Sequence, residues 1–177
     1  MMTSQKHDFT AAAIRLEDVA PSLRLSLRVK PAHRETLGRA LGLDLPTRVG
    51  TRAAANGTEA LCLGPDEWLI VAPEGTDPAA PARAAYAQAP HSLVDISDRE
   101  ITLRLSGPAV LDVLASCCPR NIAAMPVGSA ARTVFDSATV ILWRDGPTDF
   151  RMDIWRSFVP HVRALLAQVQ DEVMAGL

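Results

Sequence analysis

The sequence predicts an α+β fold, with antiparallel sheets that carry their helices on one face. Three observations lead there. In the stretch SLRLSLRVK, Leu23, Leu25, Leu27 and Val29 fall on one face and Ser22, Arg24, Ser26 and Arg28 on the other. A period of two with one apolar and one polar face marks a strand of an antiparallel sheet that is wet on one side. Glycine and proline pairs stand between short apolar runs, where hairpins turn or helices start. A weak repeat emerges when the chain is shifted by 78 residues: Leu23 falls on Ile101, Leu25 on Leu103, Leu27 on Leu105, Val49 on Val127 and Gly50 on Gly128. The order of elements repeats with it, so the chain reads as one domain of two β-α-β-β-α units, about residues 20–90 and 93–174. Such units join stably when their helices segregate to one face of the sheets.

The elements follow in order. After the strand ending at Val29, Pro31 opens a helix, because its missing N–H costs nothing at the first helical position. Leu37, Ala40 and Leu41 form its apolar side and Gly42 ends it. Two apolar runs, Ala60–Leu63 and Trp68–Ala72, flank Gly64-Pro65-Asp66-Glu67 and form a hairpin. A Pro/Gly loop leads to an alanine helix over Ala79–Ala89. Leu93–Ile96 is a short strand; Ile101, Leu103 and Leu105 define the next. Gly107-Pro108 starts a helix that buries Val110, Leu111, Val113 and Leu114. Three strands follow in ARTVF, TVILWRD and DFRMDIWR, with Asp145-Gly146-Pro147 turning between the last two. Ser157 is placed to cap a final helix, whose stripe is Phe158, Val162, Leu165, Leu166, Val169 and Val173.

Composition narrows the function classes. The chain of 177 residues is 48% hydrophobic and 21% charged, with 18 basic and 20 acidic residues and a formal charge of −2. It lacks the basic stripe of a nucleic-acid surface, so a nucleic-acid partner is not expected. No run approaches the roughly 18 uninterrupted apolar residues of a membrane span. MMTSQKHDFT is neither a signal peptide nor an arginine-rich transit sequence, so a cytoplasmic location is expected. Cys62, Cys117 and Cys118 have no Cys-x-x-Cys spacing, and His7, His33, His91 and His161 are scattered; no metal ligand set is expected. Gly64-Pro65-Asp66 has neither the dinucleotide nor the phosphate-loop fingerprint.

Asp95 and Asp98 are the candidate working pair, since two neighbouring carboxylates can divide acid and base roles when burial separates their pKa values. Asp and Ser at a strand end more commonly hydrogen-bond the local backbone and set a turn, which is the reading adopted. No catalytic, cofactor-binding or metal-binding residue is therefore assigned. Trp68 and Trp143 are expected to pack in strands. Trp155 lies on the face opposite Phe150, Met152 and Ile154, so it points outward. With Arg151 and Arg156 beside it, it makes a candidate interface, Trp and Arg being enriched in binding hot spots.

The stretch LVDISDREITLRLSGPAVLDVLASCCPRNI resembles the N-terminal signature of the aminomethyltransferase family, the T protein of glycine cleavage, through Asp95-Ile96-Ser97, Leu103–Leu105 and Ser106-Gly107-Pro108. That resemblance implies the family's folate-binding type of fold. The departures are functional: Asn121 takes the place of a loop aspartate, and Ser137, Ala138 and Thr139 stand where the family carries a double aspartate before an apolar strand. A closer resemblance covers nearly the whole chain. LGPDEWLIVAP, LVDISDREITLRLSGP, CCPRNI with MPVGS, and ARTVFDSATVILWR followed by FRMDIWRSF are similar to the gamma subunits of heterotetrameric sarcosine oxidases. This implies an accessory chain without an active site of its own. The resemblance further implies alpha, beta and delta subunits as partners, with FAD, FMN, NAD and the tetrahydrofolate site in alpha and beta and zinc in delta. The complex it implies demethylates sarcosine to glycine, with hydrogen peroxide and 5,10-methylenetetrahydrofolate as products. The alternative is a stand-alone folate-dependent aminomethyltransferase-like protein.

Overall fold

The computed structural model describes residues 14–176; the reading of MMTSQKHDFT lies outside them. In chain order the elements are β1 (Arg15–Asp18), β2 (Ser22–Val29), α1 (Arg34–Leu41), β3 (Arg52–Ala55), β4 (Thr58–Gly64), β5 (Glu67–Pro73), α2 (Ala79–Ala84), β6 (His91–Asp95), β7 (Glu100–Ser106), α3 (Val110–Cys117), β8 (Ala130–Phe135), β9 (Ala138–Gly146), β10 (Asp149–Trp155) and α4 (Val159–Ala175). The strands form two five-stranded sheets, ordered β3-β4-β5-β2-β6 and β8-β9-β10-β7-β1. Every strand pair is antiparallel.

Leu37 of α1 and Ala82 of α2 pack with Leu25, Leu27, Trp68 and Ile70 of the first sheet. Val110, Val113 and Leu114 of α3 and Val162, Leu166 and Val169 of α4 pack with Leu103, Leu105, Phe150, Met152 and Ile154 of the second. A smaller cluster of Leu61, Leu69, Ala130, Ile141 and Trp143 takes residues from both sheets. The layers are thus helices, sheet, sheet, helices. Each sheet has its helices on one face, as the patterning implies, but its other face packs against the second sheet. This corrects the expectation of a wet face on β2: Arg24 is buried, Ser26 half-buried and only Arg28 is exposed.

The two halves share an order of elements, β-α-β-β-β-α, with one strand more between the helices than the expected β-α-β-β-α, and their Val-Gly loops share a geometry. Gly50 and Gly128 have φ of 85° and 83°, a conformation that favours glycine. Gly50 N–H donates to Cys62 O at 2.9 Å and Gly128 N–H to Arg144 O at 2.8 Å. The Thr51 and Ser129 hydroxyls each reach back three residues, to Arg48 O at 2.5 Å and Pro126 O at 2.6 Å. The halves also exchange an edge: β1 pairs with β7 of the second half, and β6 pairs with β2 of the first.

Three local expectations change. The alanine helix stops at Ala84 rather than Ala89, and isolated turns follow, with Tyr86 N–H on Arg83 O and Gln88 N–H on Ala85 O. Alanine propensity without an apolar stripe does not hold a short exposed helix. Ser157 does not cap α4: it lies in a 3-10 turn, Arg156–Phe158, that leads into the helix at Phe158, with no side-chain cap bond. The strands β1 and β3 were not anticipated. β3 is mostly alanine, but Asn56-Gly57 after it, with φ of 51° and 78°, is the hairpin turn that could have revealed it.

Candidate functional site

A crevice of about 290 Å³ opens between the sheets, lined among others by Glu67, Arg99, Glu100, Arg132, Thr139 and Trp155. Asp153 and Trp143 fill the space beside it. Asp153 projects from β10, on the face opposite Met152 and Ile154, and is buried. It accepts a hydrogen bond from Trp143 Nε1 at 2.6 Å and another from Thr102 Oγ1; the Arg24 guanidinium of the other sheet donates to Thr102 and reaches Asp153 at 3.4 Å. Trp143 also has the guanidinium groups of Arg52 and Arg151 at 5.0 and 4.8 Å from its ring centroid, cation–π distances. Those two arginines in turn hold Glu59 and Asp145: Arg52 at 2.6 and 2.7 Å, Arg151 at 3.0 and 2.6 Å. Burial alone would raise the Asp145 carboxyl; hydrogen bonds from Arg151 and Arg52 and their charges outweigh it and hold the group below its ordinary value. Sequence reading missed the roles of Arg24 and Asp153, because alternation cannot say that a polar face will be covered.

At the mouth of the crevice Trp155 is 43% exposed, with the Arg99 guanidinium 5.5 Å from its ring centroid. Arg156 is exposed and donates from Nε to Asp98 O at 3.0 Å. Arg151 is half-buried in the ion-pair network that ties the sheets together. Of the three candidate interface residues, two therefore lie at the surface and one beneath it.

Asp95 and Asp98 do not act on one point. Asp95 accepts the Ser97 N–H at 2.9 Å and the Ser97 hydroxyl at 2.6 Å, and these bonds lower its carboxyl pKa. Ser97 Oγ accepts Arg24 N–H from β2 at 2.9 Å, so the turn is pinned to the sheet. Asp98 is fully exposed, 3.9 Å from the exposed Arg156.

Asp136, Ser137 and His161 form an Asp-Ser-His grouping at the β8–β9 turn. Asp136 Oδ2 and Ser137 Oγ both contact Nε2 of His161, at 3.1 and 3.5 Å. A relay needs the carboxylate on one ring nitrogen and the hydroxyl on the other, so this grouping does not activate the serine. Thr139 lines the crevice. Cys62 and Cys118 are buried and Cys117 half-buried; burial pushes the thiols of Cys62 and Cys117 up, which opposes thiolate chemistry. Among the described residues no three His, Cys, Asp or Glu side chains are grouped as a metal site, and no helix is long and apolar enough to cross a membrane.

Comparison with known proteins matches residues 27–172 to the model of the sarcosine oxidase, gamma subunit family. A sarcosine oxidase subunit gamma from Arthrobacter sp. is 40% identical over 142 residues, covering 77% of this chain and 70% of that protein. Another, from Corynebacterium sp. (strain P-1), is 34% identical over 168 residues, covering 92% and 83%. Among solved structures, a chain of the heterotetrameric sarcosine oxidase from Corynebacterium sp. U-96, in complex with pyrrole 2-carboxylate, aligns with a TM-score of 0.84 at 33% identity, over 91% of this chain and 85% of that one. The glycine cleavage system aminomethyltransferase T from Bartonella henselae aligns at 0.65 and 17% identity, over 89% of this chain and 46% of that one, which establishes likeness of fold alone.

Proposed function

The chain belongs to the sarcosine oxidase gamma subunit family, and from that premise we propose that it serves a heterotetrameric sarcosine oxidase as a subunit without its own chemistry. The observation that carries this reading is the filling of the space between the sheets. Trp143, Asp153, Thr102 and Arg24 are hydrogen-bonded to one another there, and Thr139, one of the three residues Ser137, Ala138 and Thr139 that the family resemblance sets where an aminomethyltransferase carries its double aspartate, lines the remaining crevice without a carboxylate. The partners are the alpha, beta and delta subunits. FAD, FMN, NAD, tetrahydrofolate and zinc reside in them rather than here, and the assembled complex works in the cytoplasm. Its reaction is oxidative demethylation of sarcosine to glycine, with hydrogen peroxide and 5,10-methylenetetrahydrofolate as products.

Trp155 and Arg156 are the contact residues of this reading, with Arg151 holding the strand beneath them. The two halves, about 20–90 and 93–174, are copies of one unit within a single domain, a reading that the shared loop geometry supports. The test is reconstitution. The purified chain should be colourless and show no sarcosine-dependent peroxide formation, and the other subunits expressed without it should assemble poorly until it is added. A chain that consumes a folate-linked one-carbon unit alone would instead establish the aminomethyltransferase reading.

A further inference from the structure

Val49 and Val127 are 60% and 54% exposed. They occupy corresponding places in turns 48–51 and 126–129, each closed by a hydroxyl-to-carbonyl bond and containing, directly after the valine, a glycine with positive φ. A further bond from Ala130 N–H to Gly50 O at 3.0 Å ties the two turns to each other. Arg144 braces the approach to the second turn from below, donating to the carbonyls of Ile122, Ala123 and Met125. The turns thus hold both valines on fixed backbone, so little conformational freedom is lost on contact.

Between them lies a cavity of about 640 Å³ whose lining includes Arg48, Arg52 and Arg120 but no Asp or Glu. Arg52 is neutralised by Glu59 and Asp145. Arg48 and Arg120 are exposed and form no ion pair among the described residues. The surface therefore combines a preset apolar centre with two unneutralised guanidinium groups, and it lies apart from the residues that line the Trp155 crevice.

We propose that turns 48–51 and 126–129 form a docking surface for a segment of a partner oxidase subunit that carries an apolar side chain flanked by Asp or Glu. The apolar side chain enters between the valines and the flanking carboxylates meet Arg48 and Arg120. A small inorganic anion would use the arginines and leave the valines in water, so a peptide segment fits the whole surface better. The proposal rests on the accessory-subunit reading.

The experiment uses the full chain and the remaining oxidase subunits expressed together without it. Association is measured at two ionic strengths for the unmodified chain, for Arg48→Glu with Arg120→Glu, and for Val49→Ser with Val127→Ser. Charge reversal should weaken association about tenfold or more and flatten its salt dependence; the serine pair should weaken it about tenfold with the salt dependence kept. The unfolding midpoint of each free variant should equal that of the unmodified chain, since the altered side chains are exposed. If the unmodified chain does not associate, the accessory-subunit reading falls and this proposal with it. If it associates and both folded variants bind as tightly, the docking proposal alone is overturned. Loss of pyrophosphate binding or of a homodimer on charge reversal, with assembly untouched, overturns it equally.

Discussion

Asp153 accepts hydrogen bonds from Trp143 and Thr102 and faces the guanidinium of Arg24, joining one sheet to the other. Removing it leaves the buried Arg24 cation without its counter-charge and the buried indole N–H of Trp143 without its acceptor. Breaking one side of a buried ion pair costs about 3–5 kcal/mol, so Asp153→Ala should lower stability on that scale, measured by denaturant unfolding. Trp143→Ala should cost about 3–5 kcal/mol as well, since it empties the centre between the sheets. Trp155 answers to a different measurement. It is 43% exposed, so Trp155→Ala should barely move the unfolding of the free chain while weakening assembly by about 2 kcal/mol or more. A large shift in unfolding without a change in assembly would make Trp155 a core residue. Alternation along β10 correctly sets it opposite Ile154, but on the same inter-sheet face as the buried Asp153; it is exposed because it ends the strand at the mouth of the crevice, which alternation does not show. The buried state of Arg24 was not legible either: the alternation that places Leu25 and Leu27 inward is silent about what covers the opposite face. The role of Asp95 was legible from Asp-x-Ser chemistry, although of the two aspartates it is Asp95 and not Asp98 that holds the turn.

Between elements, charge does much of the joining. Arg52 of β3 and Glu59 of β4 lie in one sheet, and Asp145 of β9 and Arg151 of β10 in the other; their ion pairs close the edge of the sandwich around Trp143. Glu67 of β5 and Arg132 of β8 bridge the sheets elsewhere, at 2.5 Å. The hydrogen bond from Arg132 is the main reason the Glu67 carboxyl lies below its ordinary value. For Asp145 and Glu67 the folded-state pKa is depressed, so the native state binds fewer protons than the unfolded chain. Their stabilisation is therefore complete above the unfolded carboxylate values of about 3.9 and 4.3, and it is lost as pH falls through the lower folded values. Asp145→Asn should lower stability at neutral pH and flatten the acid limb of the stability profile below about pH 4. An acid limb unchanged in slope would remove Asp145 from this account. The strands that join here were visible from alternation and turn residues. Their pairing across sheets was not, because ion pairs between Glu59 and Arg151, 92 positions apart, leave no local pattern.

At the scale of the molecule, the exchange of β1 and β6 decides how the halves depend on each other. Each half contributes four strands to its own sheet, and the fifth comes from the other half: β1 completes the sheet of β7–β10, and β6 completes the sheet of β2–β5. The matching places of Leu23 and Ile101 and of the two Val-Gly loops were readable in the sequence. The exchange was not, since β1 has only Arg15–Asp18 and its apolar content is Leu16. A fragment ending at residue 90 would lack β6, leaving the edge of β2 open, and one starting at residue 91 would lack β1 and leave β7 open. Each would also bare the inter-sheet cluster of Leu61, Leu69, Ala130, Ile141 and Trp143. Open edges and bared apolar faces drive association between chains. Fragments 1–90 and 91–177 should therefore be unfolded or aggregated when expressed alone, and should form a folded one-to-one complex when expressed together. Circular dichroism and gel filtration of each fragment and of the mixture check this. A cooperative unfolding transition in either fragment alone would mean that a half carries a sufficient core without the exchanged strand, and that the edges are an addition to two independent units rather than the link that makes them one domain.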